Sequence, residues 1–388
     1  MGGTFYEFFA GGGMARAGLG ADWRCLFAND FNTVKAATYA ANWGDEHLLC
    51  EDVAKVKLSD LPEVADMVWA SFPCQDLSLA GSYRGLGSVT SKVMTRSGTF
   101  WPFWNLMQSL SEHHRRPRMI VLENVVGALT SRNGHDFAAI CEALNNAAYR
   151  FGTLVIDARY FLPQSRQRVF FIAIAPEIEI PDNLFSRQPS QIWHTPALVA
   201  AYESLSFELK QNWLWWHLPN PPMRTSVFAD VIDDEPQGCN WHSPEETTRL
   251  LSMMTQLHLE KVEIAKRAKQ KLIGAVYKRT RIENGIKRQR AEVRFDDLAG
   301  CLRTPGGGSS RQTIIVVAGQ NVRSRLLSPR EAARLMGLDE DYKIPIKYND
   351  AYQLAGDGVC VPVVRHLAQF LLEPILCHNP KNDNLIAA

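Results

Sequence analysis

The chain has 388 residues, with Lys+Arg 42 against Asp+Glu 41 and eight cysteines. That length can bury a large core, as two domains or one elaborated one, and the balanced charge leaves the choice of partner to local patches. No CxxC pair or Cys/His cluster has metal-ligand spacing, so no metal is expected, and no stretch reaches the ~18 apolar residues of a membrane span. The scattered cysteines fit a reducing, cytoplasmic setting without a disulfide framework.

Residues 1–180 alternate short apolar runs with helical patterns. Strands are predicted over Thr4–Ala10, Trp23–Asn29, Met67–Ser71, Met119–Leu122, Leu154–Asp157 and Arg168–Ala175. Helices are predicted over Met14–Leu19, Asn32–Asn42, Thr99–Ser111 and His135–Ala147. The alternation predicts an α/β fold with a mixed, mostly parallel sheet and helices on both faces. Near Pro181 the chain becomes richer in Pro, Trp and Asn, with the cluster Trp213-Leu214-Trp215-Trp216. From Glu245 to about Tyr277 it reads as helical. Residues 261–294 carry 12 Lys/Arg against 3 Glu, including Lys278-Arg279-Thr280-Arg281 and Lys287-Arg288-Gln289-Arg290. A basic run alone is usually a solvated face. This one precedes Thr304-Pro305-Gly306-Gly307-Gly308-Ser309-Ser310-Arg311, and the two together can bind phosphates through charge and backbone N–H groups. Gln312–Val317 then reads as a strand. Ser328 caps a helix with Pro329 at its first position, and Val361–Leu372 has helical periodicity. Three parts follow: 1–180, an inserted 181–320, and 321–388 rejoining the first.

Glu7-Phe8-Phe9-Ala10-Gly11-Gly12-Gly13-Met14 joins the first strand to the first helix. Its glycines let a ligand approach the backbone. Asp30 follows Gly11 by 19 positions, near the spacing at which an acid meets ribose hydroxyls. Asp52 can accept from an adenine amino group. Loop and acid together predict a nucleoside cofactor, either NAD or S-adenosylmethionine; the bland reading is a tight turn with surface acids.

Cys74 follows the apolar run Val64–Trp69 in Ala70-Ser71-Phe72-Pro73-Cys74-Gln75, a thiol at a strand's end, where open α/β folds keep their sites. A free cysteine is more often a small buried hydrophobe. Glu123-Asn124-Val125 leaves another buried strand. Desolvation there disfavours a charged carboxyl and favours a proton donor, unless an arginine pairs with it. Gln164-Ser165-Arg166-Gln167-Arg168 places two guanidinium groups on one side of a strand entrance. They can hold an anion, stabilise a thiolate or simply form salt bridges.

In these blocks the chain resembles the DNA (cytosine-5)-methyltransferases, bacterial or phage type, nearly end to end. The matching stretches are Phe9-Ala10-Gly11-Gly12-Gly13, Phe72-Pro73-Cys74-Gln75, Glu123-Asn124-Val125, Gln164-x-Arg166-x-Arg168, and Ser328-Pro329-Arg330-Glu331 with Gly356–Val361. The resemblance implies a SAM-dependent methyltransferase fold carrying a target recognition domain at 181–320. It implies S-adenosylmethionine as cofactor, duplex DNA as substrate, and a cognate restriction endonuclease in the same system. The enzyme would be a monomer with no membrane association. Cys74 would add to carbon 6 of a flipped-out cytosine, making carbon 5 nucleophilic. Glu123 would engage N3 and the exocyclic amine, with Arg166 and Arg168 orienting the site. Phe9, Ala10, Gly11, Gly13, Asp30, Phe31, Asp52, Val53, Pro73, Asp357 and Val359 would hold the cofactor. Gln75, Ser78, Arg84, Arg279, Arg281, Arg303 and Thr304 would meet DNA.

Met14 stands where the family often has another glycine, and Asp357-Gly358 where it usually has Asn-Ser. Three rivals stay open: a transfer-RNA cytosine methyltransferase of the same fold, a catalytically silent DNA-binding regulator, and a nicotinamide oxidoreductase. The last leaves the Pro-Cys-Gln and Glu-Asn-Val blocks without work.

Overall fold

The computed structural model describes residues 2–73, 97–303 and 310–380. The chain forms two compact units: 1–156 with 167–220 and 361–388, and 157–166 with 221–360.

The first unit is built on β1 (Thr4–Phe8), β2 (Arg24–Asn29), β3 (Leu48–Leu49), β4 (Met67–Ala70), β5 (Met119–Val125), β6 (Arg150–Asp157) and β7 (Gln167–Ile174). Their order in the sheet is β3-β2-β1-β4-β5-β7-β6. β1, β2, β4 and β5 run parallel, while β7 is antiparallel to β5. Strand order reverses between β1 and β4, the position where open α/β sheets bind ligands. The central strands are buried on both faces, so they read as continuous apolar runs. Helices α1 (Met14–Leu19), α2 (Thr33–Trp43), α3 (Phe100–Glu112) and α4 (His135–Asn146) connect them. Asn32 caps α2 by accepting from the N–H groups of Val34 and Lys35.

Residues 181–220 also pack in this unit. α5 (Pro196–Glu203) and α6 (Phe207–Gln211) lie in chain order between β8 (Phe185–Ser186) and β9 (Trp215–Trp216), which pair antiparallel. The tryptophan cluster covers the edge of the main sheet at β6. Leu214 N–H donates to Phe151 O at 2.7 Å, Phe151 N–H donates to Asn212 O at 2.9 Å, and the Trp213 and Phe151 rings meet edge-on. Covering satisfies an edge strand that would otherwise offer unpaired backbone groups.

In the second unit, α7 (Pro244–Ser252) and α8 (Gln256–Arg267) pack on an antiparallel sheet. Its strands are β10 (Leu272–Glu283), β11 (Ile286–Arg294), β12 (Thr313–Ala318) and β13 (Asn321–Leu326), in the order β11-β10-β12-β13. Leu250, Met254, Val262, Val276, Val293 and Ile315 form part of its core. The helical reading of 245–277 therefore ends too late. The helix stops at Arg267, Ala268 is extended, and β10 begins at Leu272 against β12. α9 (Pro329–Arg334) starts with Ser328 and Glu331 in a reciprocal capping box and Pro329 in its first turn. α10 (Tyr348–Asp357) ends the unit.

The chain returns to the first unit with α11 (Val361–Leu367), a π turn at Ala368–Leu372, and α12 (Glu373–His378). Trp23 Nε1 donates to Glu373 Oε1 at 3.0 Å, and Arg365 donates to Leu19 O. The unit boundaries thus fall at 220 and 360, away from the expected 180 and 320. Tryptophans drawn to the β6 edge place 181–220 with the main sheet, and the β12–β13 hairpin keeps 321–326 with β10. The run Tyr348–His378 is long and apolar enough to cross a membrane, but 61 % of its apolar window is buried inside the protein, as in a core helix.

Candidate active site

Strand register aligns the site within the first unit. Phe8 pairs with Asn29 on one side and Ala70 on the other, and Ala70 pairs with Leu122. The residues that follow at this carboxyl edge are Phe9, Asp30, Ser71 and Glu123. Four stretches far apart in the chain so reach one edge of one sheet.

The glycine loop is held from three directions. Gly11 N–H donates to Asp30 Oδ2 at 2.8 Å, while Asn32 N–H donates to Asp30 Oδ1 at 2.8 Å. Ala10 N–H donates to Asn29 O at 2.9 Å. Trp43 Nε1 donates to Gly12 O at 2.9 Å. Phe9, Gly11 and Gly13 all have left-handed backbone, with φ of 56°, 57° and 79°. A side chain on Gly13 would stand 2.4 Å from Trp43 Nε1, whereas one on Gly11 would meet nothing within 4 Å. Gly11 therefore borders open space, as a backbone cradle for a ligand requires. Asp30 is buried, with one oxygen on the loop at Gly11 and the other on the start of α2 at Asn32, so it ties the cradle to that helix.

Phe31, next to it, is 68 % exposed. Asp52 is exposed, and its Oδ1 accepts from Ala54 N–H at 2.9 Å. Val53 lines an open cleft of about 430 Å³ with Ala54, Val56, Pro102, Asn105 and Leu106. An exposed ring at Phe31, an exposed carboxylate at Asp52, a backbone cradle at Gly11 and a cleft of mixed polarity at Val53 suit a nucleoside with an anionic or zwitterionic tail.

Sequence reasoning missed Glu7. It is fully buried on β1 just below the loop, and burial pushes its carboxyl up to about 8 against the pull of Arg16. Arg16 itself bonds Tyr39 Oη at 3.0 Å and lies against the Tyr39 and Trp43 rings. A charged residue within an apolar strand run was the available signal.

At the end of β5, Arg168 Nε stands 3.1 Å from Glu123 Oε1, both side chains nearly buried. Of the two readings of Glu123, an arginine-paired carboxylate is the one the geometry carries. Asn124 Nδ2 donates to Phe72 O at 3.1 Å, and its Oδ1 accepts from Val125 N–H at 2.9 Å. Asn124 thereby ties the end of β5 to the segment leaving β4, two residues before position 74. Pro73 is half-buried at the end of that segment, and Phe72 packs on Phe100. Cys74, Gln75, Ser78 and Arg84 lie outside the described residues, as does Thr304.

Arg166 belongs to the second unit and is buried there. Its guanidinium donates to Leu302 O at 3.1 Å, Gly356 O at 2.8 Å and Gly358 O at 2.6 Å, and reaches Cys301 Sγ at 3.4 Å. It holds the turn that carries Asp357, which is exposed, and Val359, which is buried. The two arginines of the Gln-x-Arg-x-Arg block thus do different work. Arg279 and Arg281 project from β10, and Arg303 is exposed. Among the described residues no His/Cys/Asp/Glu group could hold a metal, and none of the seven cysteines there forms a disulfide.

The sequence profile of the C-5 cytosine-specific DNA methylases matches residues 3–373. The chain belongs to this family. Among curated relatives, it is 25 % identical to the Type II methyltransferase M.BsuFI of Bacillus subtilis, over 96 % of this chain and 73 % of that protein. It is likewise 25 % identical to the Type II methyltransferase M.NlaX of Neisseria lactamica, over 94 % of each chain. The DNA-cytosine methyltransferase of Escherichia coli strain K12 is 25 % identical, over 95 % of this chain and 77 % of that one. Among solved structures, the Entamoeba histolytica methyltransferase EhMeth superposes with a TM-score of 0.58 at 15 % identity, over 97 % of this chain and 99 % of that one. The S. pombe Dnmt2 methyltransferase does so with a TM-score of 0.55 at 16 % identity, over 97 % and 99 %. At those identities the two structures speak of fold alone, and that fold is the mixed, mostly parallel methyltransferase sheet expected from the sequence.

Proposed function

We propose that this chain methylates carbon 5 of a flipped-out cytosine at a specific site in duplex DNA, with S-adenosylmethionine as cofactor. Family membership supports the reaction class. The observation that carries the reading is the Glu123–Arg168 pair beside Asn124, which anchors the Phe72-Pro73 segment leading into Cys74.

The cofactor, when bound, supplies an electrophilic methyl group. Phe9, Ala10, Gly11 and Gly13 would cradle it, with Asp30, Phe31, Asp52, Val53 and Pro73 around its nucleoside. The Cys74 thiolate forms a bond to carbon 6, and the electron pair of the 5,6 double bond makes carbon 5 nucleophilic. A free thiol is only a few per cent thiolate at neutral pH, so the site must favour its ionised form. Glu123 accepts from the exocyclic amine and, taking up a proton once the base is bound, donates it to N3, while Arg168 keeps it oriented. After carbon 5 has reacted, loss of its proton and departure of Cys74 restore the aromatic ring. Gln75, Ser78 and Arg84 contact DNA near the flipped base, and Arg279, Arg281, Arg303 and Thr304 contact it from the recognition domain. The enzyme acts as a cytoplasmic monomer, in company with a restriction endonuclease of matching specificity.

Expression in a methylation-deficient bacterium followed by bisulfite sequencing tests this reading. Wild-type protein should protect cytosines at one short sequence, and Cys74→Ala should protect none. DNA carrying 5-fluorocytosine at that site should form a covalent adduct with wild type only. Methyl transfer confined to transfer RNA would sink the reading in favour of the RNA-modifying rival.

A further inference from the structure

β10 and β11 extend well beyond the sheet they belong to. β10 pairs with β12 only from Leu272 to Val276. Lys278 is still covered by Ser310, whose hydroxyl bonds its backbone, and Ala291 N–H still donates to Met253 O. Outward of these residues, Arg279–Glu283 and Ile286–Arg290 form a two-stranded ribbon, in which each strand's ladder partner among the described residues is the other. At ~3.4 Å per residue its arms reach about 17 Å. Asn284 and Gly285 close it, both with positive φ, as a two-residue turn of the I′ kind requires.

One face of this ribbon is an arginine face. Arg279 stands opposite Arg290, and Arg281 opposite Arg288. Like charges directly opposite destabilise a hairpin, and a ribbon without a core can ill absorb that. Two carboxylates offset it. Glu292 binds Arg281 through Nε at 2.8 Å and Arg279 at 3.3 Å; Glu283 binds Arg290 through Nε at 2.7 Å and lies 3.9 Å from Arg288. Arg279, Arg281 and Arg288 stay exposed on this face and Arg290 half-buried, each paired with one of the two carboxylates, with Lys278 and Lys287 on the opposite face. A two-stranded ribbon fits the major groove, and arginine reads guanine there through O6 and N7.

Resting on the DNA reading above, we propose that this ribbon enters the major groove with the Arg279/Arg281/Arg288/Arg290 face toward the bases. It recognises guanines of the target site, and Glu283 and Glu292 act as positioning residues for the four arginines.

The test begins with the site found by bisulfite sequencing. Duplexes carrying 7-deazaguanine, which lacks the N7 acceptor, are compared with the natural site by anisotropy. Wild type should lose about tenfold or more in affinity at one or more guanines. Arg281→Ala/Arg288→Ala should bind the natural site that much less tightly and be indifferent to the same replacement. Lys278→Ala/Lys287→Ala should weaken cognate and random DNA equally and keep the 7-deazaguanine penalty. Glu283→Gln/Glu292→Gln, with negative charge removed, should bind random DNA more tightly yet discriminate the site less, which simple misfolding would not produce. The ribbon proposal falls if wild type ignores 7-deazaguanine at every guanine, or if the arginine-face variants keep full selectivity. In both cases site-specific DNA methylation by wild type would leave the DNA reading standing. Methylation of transfer RNA alone would remove both.

Discussion

Arg168 Nε lies 3.1 Å from Glu123 Oε1, and the two side chains are only 13 % and 7 % exposed. The antiparallel register of β5 and β7 brings them together, with Val125 opposite Arg168. Breaking a buried pair by removing one partner leaves an uncompensated charge and costs up to about 3–5 kcal/mol. Glu123→Gln and Arg168→Ala should therefore lower the urea midpoint. Both should slow methyl transfer by about 10²–10⁴-fold, the usual worth of a positioned acid–base group. Arg168→Lys restores the charge without the planar fork, so it should recover stability more fully than activity. Urea titrations beside labelled-methyl assays separate the two effects.

Asn124 holds the carbonyl of Phe72, two residues before Cys74 in the chain. Asn124→Ala strands the buried carbonyl of Phe72, at about 1–3 kcal/mol. Adduct formation on 5-fluorocytosine DNA should slow markedly, while cofactor affinity by titration calorimetry changes little. Equal losses in both would mean that Asn124 serves the fold alone.

Gly11 and Gly13 should respond differently to alanine. Each pays the left-handed cost of about 1–2 kcal/mol, but at Gly13 the added carbon also lies 2.4 Å from Trp43 Nε1, and overpacking adds about 1–3 kcal/mol. Calorimetric melting should show Gly13→Ala as the less stable variant. Gly11→Ala should melt nearer wild type and yet lose S-adenosylmethionine affinity about tenfold or more, because its new methyl occupies the open side of the cradle.

Glu7 makes stability depend on pH. Its folded value of about 8 lies above the unfolded carboxyl value, so the native state keeps a proton that the unfolded chain gives up. Stability should fall as pH rises from about 4.3 to about 8 and level off beyond, by at most about 5 kcal/mol. Glu7→Gln should abolish this slope, matching wild type near pH 4 and exceeding it at pH 9. Urea unfolding at pH 5, 7 and 9 checks the sign.

The strand ends of the candidate site were legible because they are local. Glu123 and the glycine loop each follow an apolar run that reads as a strand and forms one, and Ser328-Pro329-Arg330-Glu331 announces its own cap. The division of labour between Arg166 and Arg168 was not legible. Two residues apart on a strand entrance, they look equivalent, and only register and burial send one to Glu123 and the other to the carbonyls of Gly356 and Gly358. The ribbon was half legible. Its basic clusters were plain and Asn284-Gly285 is a hairpin signal, but a helical reading that ran on to Tyr277 hid the start of β10.

By itself the sequence determined the alternation of strands and helices, the family, and the residue types at each strand end, since these depend on periodicity and short motifs. Tertiary structure decided which of those residues meet: Arg168 with Glu123, Asn124 with Phe72, Asp30 with Gly11, and four arginines with two glutamates on one ribbon face. The physical reason is that pairing is set by strand register and by the burial of partners far apart in the chain, 52 positions for Asn124 and Phe72. No local pattern encodes that geometry, because it exists only once the sheet has assembled.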